Sequence, residues 1–182
     1  MSRDGVQRTA RPTFWLCCCA VVLLHSLRAF ACTEKLPHTV PQWVVDGSWF
    51  FVTGNCIPRG RNQLCLPDTG DAVLDAMTFN HETCIWHCRL CVLMPDHVHA
   101  IIMAFPREPG MATTMKNWKK FVAGKYAIDW QRDFFDHRLR DYHEVEEKTS
   151  YILMNPVRRG LCEHVEEWAW VFRPKDRPPP SW

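Results

Sequence analysis

The chain reads as an α+β domain, a ferredoxin-like antiparallel sheet with helices packed on it, and three observations predict this. Apolar runs of strand length alternate with amphipathic windows of helix length in the order strand, helix, strand, strand, helix, strand, helix. The two middle runs, Cys84 to Leu93 and His97 to Phe105, are separated only by Met94-Pro95-Asp96, the layout of a hairpin of central strands. With 182 residues, 47% of them hydrophobic, the chain has enough material for one domain with a real core and not enough for two ordinary ones.

Ser48 to Asn55 has the aromatic and β-branched content of a buried first strand closed by Gly54. Pro58, Gly60, Pro67 and Gly70 mark a loop, after which Asp71 caps a helix running to about Asn80, with Val73, Leu74 and Met77 on one face. Beyond the hairpin, Met111 to Trp130 is the longest helical window: Met115, Trp118, Phe121, Val122 and Tyr126 form its apolar stripe, and Lys116, Lys119, Lys120 and Lys125 stand around it. Phe134 to Leu139 forms a further strand. His143 to Asn155 forms the last helix, stopped by Pro156. Two helices are expected to cover one face of the sheet. The domain spans 36–172, and 173–182 is a solvated, Pro-rich tail.

Ten cysteines do not make a disulfide framework here, because Cys17, Cys18 and Cys19 are adjacent and most others fall in apolar stretches, where a thiol behaves as a small hydrophobe. Cys84, Cys88, Cys91 and His97 offer zinc-ligand types. On a strand, however, Cys84 and Cys88 face one side and Cys91 the other, so the sulfurs do not converge. A net charge of +2 gives no overall pull towards nucleic acid, so any such surface must be local.

His97-Val98-His99 is the sharpest chemical feature. Alternate strand residues share a face, so the two imidazoles project side by side and can share one metal ion. A bare pair of this spacing also arises from two hydrogen-bonded core histidines. Tyr151 and Asn155 follow at helical i,i+4 spacing, which sets a nucleophile and a possible ligand one turn apart. The same spacing is met by an amphipathic core tyrosine and a helix-ending asparagine.

At Met94-Pro95-Asp96-His97-Val98-His99 with Ile101-Ile102, and again at Tyr151-Ile152-Leu153-Met154-Asn155-Pro156-Val157-Arg158-Arg159-Gly160-Leu161, the sequence resembles REP-associated tyrosine transposases, of the HUH endonuclease type with a single tyrosine. The likeness extends to Val40–Thr53 and Trp130–Arg140, four ordered blocks from about Leu36 to Cys162. The resemblance implies that His97, His99 and Asn155 hold a divalent metal, Mg²⁺ or Mn²⁺. It also implies that Tyr151 attacks a phosphate of single-stranded DNA at hairpin repeats, giving a 5′-phosphotyrosine and a free 3′-OH. Lys116, Lys119, Lys120, Lys125, Arg138, Arg140, Arg158 and Arg159 are the expected DNA-binding surface, and Trp118 and Trp130 would stack bases if exposed. A monomer or a homodimer is compatible with this, and no membrane partner is expected.

Residues 1–35 complicate the picture. Arg3, Arg8 and Arg11, the apolar run Phe14 to Leu24 and Ala29-Phe30-Ala31 have the layout of a secretory signal, in a run too short to span a bilayer as a normal helix. A genuine leader means export, whereas DNA chemistry means the cytoplasm, and the expectation is a cytoplasmic protein whose start lies too far upstream. The competing functions are a protein of the same fold that grips single-stranded nucleic acid without cleaving it and, from the secreted class, a disulfide-linked exported domain.

Overall fold

The computed structural model describes residues 47–104 and 110–174. The leader-like segment 1–35, the stretch 40–46 and most of the Pro-rich tail therefore lie outside the described residues. Five strands form one antiparallel sheet: β1 (Trp49–Asn55), β2 (Trp86–Met94), β3 (His97–Ala104), β4 (Phe135–Leu139) and the short β5 (Val171–Phe172), in the order β4-β1-β3-β2-β5. The expected α+β architecture is present. β2 and β3 make a tight hairpin in which Met94 pairs with His97 across Pro95 and Asp96.

The sheet is covered on both faces. On one side α1 (Pro67–Glu82) and α2 (Met111–Lys125) bury Val73, Met77, Met115, Trp118 and Val122 against Phe50, Val52, Val98, Ala100 and Ile102. On the other side α3 (Tyr142–Leu153) packs Val145 and Ile152 against Leu90, Val92, Met94 and Ile101. The reason lies in β3, where the neighbours Ile101 and Ile102 point to opposite faces and are both buried. A strand apolar on both faces needs a cover on each.

Local chemistry explains where the helices begin. α1 starts at Pro67, four residues before the expected cap Asp71, because proline fits the first helical position, where its missing N–H costs nothing. α3 starts behind Asp141, whose carboxylate accepts the Glu144 amide at 2.8 Å, while the Glu144 carboxylate accepts the Arg140 amide. Pro156 does not end the last helix. α3 stops at Leu153, and Asn155 with Pro156 opens a separate one-turn helix, α4 (Asn155–Arg158).

A bulge between Cys88 and Leu90 shifts the register of β2 against β3. The extra residue resets the alternation, so Cys88 and Cys91 both end in the core under α1 and α2 rather than on opposite faces as expected. Cys84 precedes the strand and is exposed, so the three sulfurs still do not form one group. Among the described residues no helix is long and apolar enough to cross a membrane.

Candidate active site

The site is built on β3 and on the helix that covers its polar pair. His97 and His99 share the sheet face that α3 covers, and their ring centroids are 4.7 Å apart with planes at 81°. Each imidazole is anchored through Nδ1. The Asp96 carboxylate takes the His97 Nδ1–H at 2.6 Å, and the Thr53 hydroxyl, directly across the ladder, lies 2.9 Å from His99 Nδ1. When Thr53 accepts, both Nε2 atoms carry an open lone pair on the same side of the sheet, the arrangement in which metal-binding histidines are held.

Asp96 is itself fixed. Its second oxygen accepts the Gly60 amide at 2.6 Å and lies 3.2 Å from Arg59 Nε. Burial works to raise its pKa, but the Gly60 amide, His97 and Arg59 outweigh that and hold the carboxyl below the usual range. Burial pushes the His97 imidazole down against the pull of Asp96. At His99 burial, with the positive charges of His97, Arg59 and Arg159, takes the pKa to about 3. Both rings are therefore neutral at pH 7, the form that donates a lone pair.

Tyr151 lies on α3, half-buried against the apolar cluster on the histidine face. A chain of contacts links it to the imidazoles: Lys148 Nζ is 5.4 Å from the Tyr151 ring centre and 5.8 Å from that of Phe51, and Phe51 lies 5.4 Å from the His99 ring. Asn155 sits on α4, beyond the break at Met154, so it does not share one uninterrupted helix with Tyr151 as expected. Its Nδ2 is buried with no hydrogen-bond partner. A buried N–H2 needs a hydrogen-bond acceptor, so Nδ2 is a donor awaiting one, and it is the Oδ1 of the same amide that could serve a cation. Among the described residues no group of three or more His, Cys, Asp or Glu is placed to hold a metal ion.

The expected basic residues divide. Arg158 and Arg159 are exposed beside these groups: Arg158 Cζ is 4.8 Å from the Tyr151 ring centre, and the Arg159 charge acts on both histidines. Lys116, Lys120 and Lys125 are exposed on α2, the helix that covers the opposite face. The first two, with Arg132, line an open groove of about 700 Å³ there. Lys119 departs from expectation. It is buried, and its ammonium donates to the backbone carbonyls of Gln131, Arg132 and Asp133, so it braces the chain on the wall of that groove. Arg138 is partly buried on β4, and Arg140 is exposed just beyond that strand. Trp118 is core, packed on Trp86 and Trp130, and is closed to bases.

Sequence reasoning missed Thr53, Arg59, Asp96 as an orienting group, and Lys148. Asp96 adjoins His97 and Lys148 precedes Tyr151 by one helical turn, so both had a local signal. Thr53 and Arg59 reach the site only through the ladder and the loop after β1.

No family model matches the chain. A REP-associated tyrosine transposase of Escherichia coli is 22% identical over 130 residues, 70% of this chain and 77% of that protein. A Haemophilus influenzae protein named for the same activity is 30% identical over 97 residues, 44% of this chain and 54% of that protein. The solved structure of a REP-associated tyrosine transposase bound to a REP hairpin superposes with a TM-score of 0.59 at 22% identity, covering 73% of this chain and 81% of that one.

The chain has the fold of a REP-associated tyrosine transposase.

Its sheet and helices match that transposase structure, and its sequence is similar to transposases of this kind from two bacteria. The blocks around His97 and Tyr151, which are far apart in sequence, fall in this fold on one face of one sheet.

Proposed function

We propose that this chain is a metal-dependent tyrosine transposase that cleaves and rejoins single-stranded DNA at hairpin repeats through a 5′-phosphotyrosine. The observation that carries the reading is the pair of neutral imidazoles, both fixed at Nδ1, on the sheet face where α3 presents Tyr151. A protein that only grips a strand has no use for this combination.

His97, His99 and Asn155 would hold the ion, Mg²⁺ or Mn²⁺. Once bound, the ion polarises the phosphate and orients it. Asp96 and Thr53 keep the imidazoles in the tautomer and orientation the ion needs. The Tyr151 Oη attacks phosphorus, the bond from phosphorus to the 3′-oxygen breaks, and the proton lost by the phenol is balanced by one gained at the released 3′-oxygen. A 3′-OH later attacks the phosphotyrosine and the phenol leaves, so the bond energy is conserved and no nucleotide cofactor is required. Arg158 and Arg159 hold the strand by its phosphates beside the nucleophile.

The test is incubation of the protein with labelled single-stranded hairpin DNA and Mn²⁺, followed by denaturing electrophoresis. The reading expects a band of protein linked to DNA that chelation prevents. Binding without any such band would instead identify a single-strand binding protein of the same fold.

A further inference from the structure

Positive charge next to the nucleophile is not neutralised. Arg59 is paired with Asp96 and Arg89 with Glu146, whereas Lys148 and Arg158 form no ion pair among the described residues. Arg158 is tethered, donating to the Tyr151 carbonyl at 3.4 Å. Among the described residues Lys148 is held by two rings, those of Tyr151 and Phe51. Its ammonium therefore lies at the seam between the nucleophile's helix and β1, the strand whose Phe51 and Thr53 both touch His99.

A cation near the face of a phenol is attracted by the ring's electrons, and the attraction grows as the hydroxyl loses its proton and charge spreads into the ring. The same cation draws in a phosphate. Both effects favour the state in which Tyr151 attacks over the state in which it rests.

We propose that Lys148 is a positioning residue for strand cleavage: it holds the Tyr151 ring towards Phe51 and sets positive charge where the phenolic oxygen meets the DNA phosphate. This rests on the strand-cleaving reading above. In the step concerned, the Oη–P bond forms, the P–O3′ bond breaks, and the phenol proton lost is matched by one gained at the 3′-oxygen. Lys148 keeps its own proton throughout. Besides Lys148 and Arg158, the described neighbours of Tyr151 include the apolar cluster of Leu90, Val92, Met94, Ile101, Leu139 and Val145, and α3 covers the sheet face that carries His97 and His99.

The test compares the full chain with Lys148→Met, Lys148→Arg and Tyr151→Phe. Because Lys148 has no ion pair among the described residues, methionine strands no partner charge there. The probe is a pool of single-stranded oligonucleotides carrying a hairpin with randomised flanks, labelled at the 3′ end. At saturating DNA and Mn²⁺, single-turnover adduct formation should fall about 10- to 100-fold in Lys148→Met, as expected when a reacting group is misplaced. DNA affinity should change much less, and Lys148→Arg should recover most of the rate. An unchanged rate, a loss confined to affinity, or a deficit that arginine does not relieve would overturn the proposal. A second measurement needs no DNA. The ultraviolet tyrosinate titration of Tyr151, taken as the full chain minus Tyr151→Phe, should move up by about one pH unit in Lys148→Met. An unmoved titration would overturn the proposal as well. Absence of an adduct in the unaltered chain, with the titration shifted as expected, would instead contradict the strand-cleaving reading.

Discussion

Asp96 holds His97: its Oδ1 lies 2.6 Å from the imidazole Nδ1, while its Oδ2 is occupied by the Gly60 amide. A carboxylate fixed at both oxygens fixes the ring in turn. Asp96→Ala should therefore weaken Mn²⁺ binding about 10- to 100-fold, the usual cost of losing an orienting partner behind a metal ligand. Calorimetric titration with Mn²⁺ on folded protein reads this directly. Affinity equal to that of the unaltered chain would mean that the histidine pair needs no orienting group.

Each imidazole would supply one bond to the ion, whereas the grip on DNA is spread over many phosphates. His97→Ala and His99→Ala are each expected to suppress cleavage by orders of magnitude and to weaken Mn²⁺ binding, with a much smaller change in single-strand affinity. Asn155→Ala should do less, because an amide oxygen is a weak ligand and water can replace it. Cleavage kinetics and filter binding, measured on the same preparations, separate the two effects.

Lys119 braces three carbonyls and is removed from solvent. Lys119→Ala is expected to cost about 1–3 kcal/mol of stability, since those acceptors lose a charged donor. Single-strand affinity should stay close to the parental value. Urea unfolding and a binding isotherm check this together, and a stable variant with greatly reduced affinity would return Lys119 to the DNA surface.

At Gly70 a Cβ would fall 2.4 Å from the Trp170 ring and 2.9 Å from the Leu64 carbonyl. Gly70→Ala should destabilise the domain by about 1–3 kcal/mol through overpacking, visible as a lower urea midpoint with an unchanged slope. An unshifted midpoint would show that Trp170 yields at little cost.

Much of this architecture was legible because its signals are local. The alternation in His97-Val98-His99 and the short link Met94-Pro95-Asp96 predict the hairpin and the shared face without reference to anything distant. What stayed hidden depends on partners remote in sequence. Pro156 is compatible with ending one helix or opening the next, and only the packing of α3 on the sheet decides between them. The bulge beside Arg89, which brings Cys88 and Cys91 to one face, leaves no mark in a pattern of hydrophobic residues. Lys119 sits among exposed lysines in sequence, yet faces the chain between Gln131 and Asp133 in space. Thr53 reaches His99 only because β1 pairs with β3.

The central claim is that Tyr151 forms the covalent bond to DNA. The most direct measurement is mass spectrometry of the nuclease- and protease-digested adduct formed with single-stranded hairpin DNA and Mn²⁺. A nucleotide joined through its 5′-phosphate to the peptide containing Tyr151, and absent from Tyr151→Phe, is the predicted result. Attachment at Tyr126 or Tyr142, or an adduct that persists in Tyr151→Phe, would contradict it.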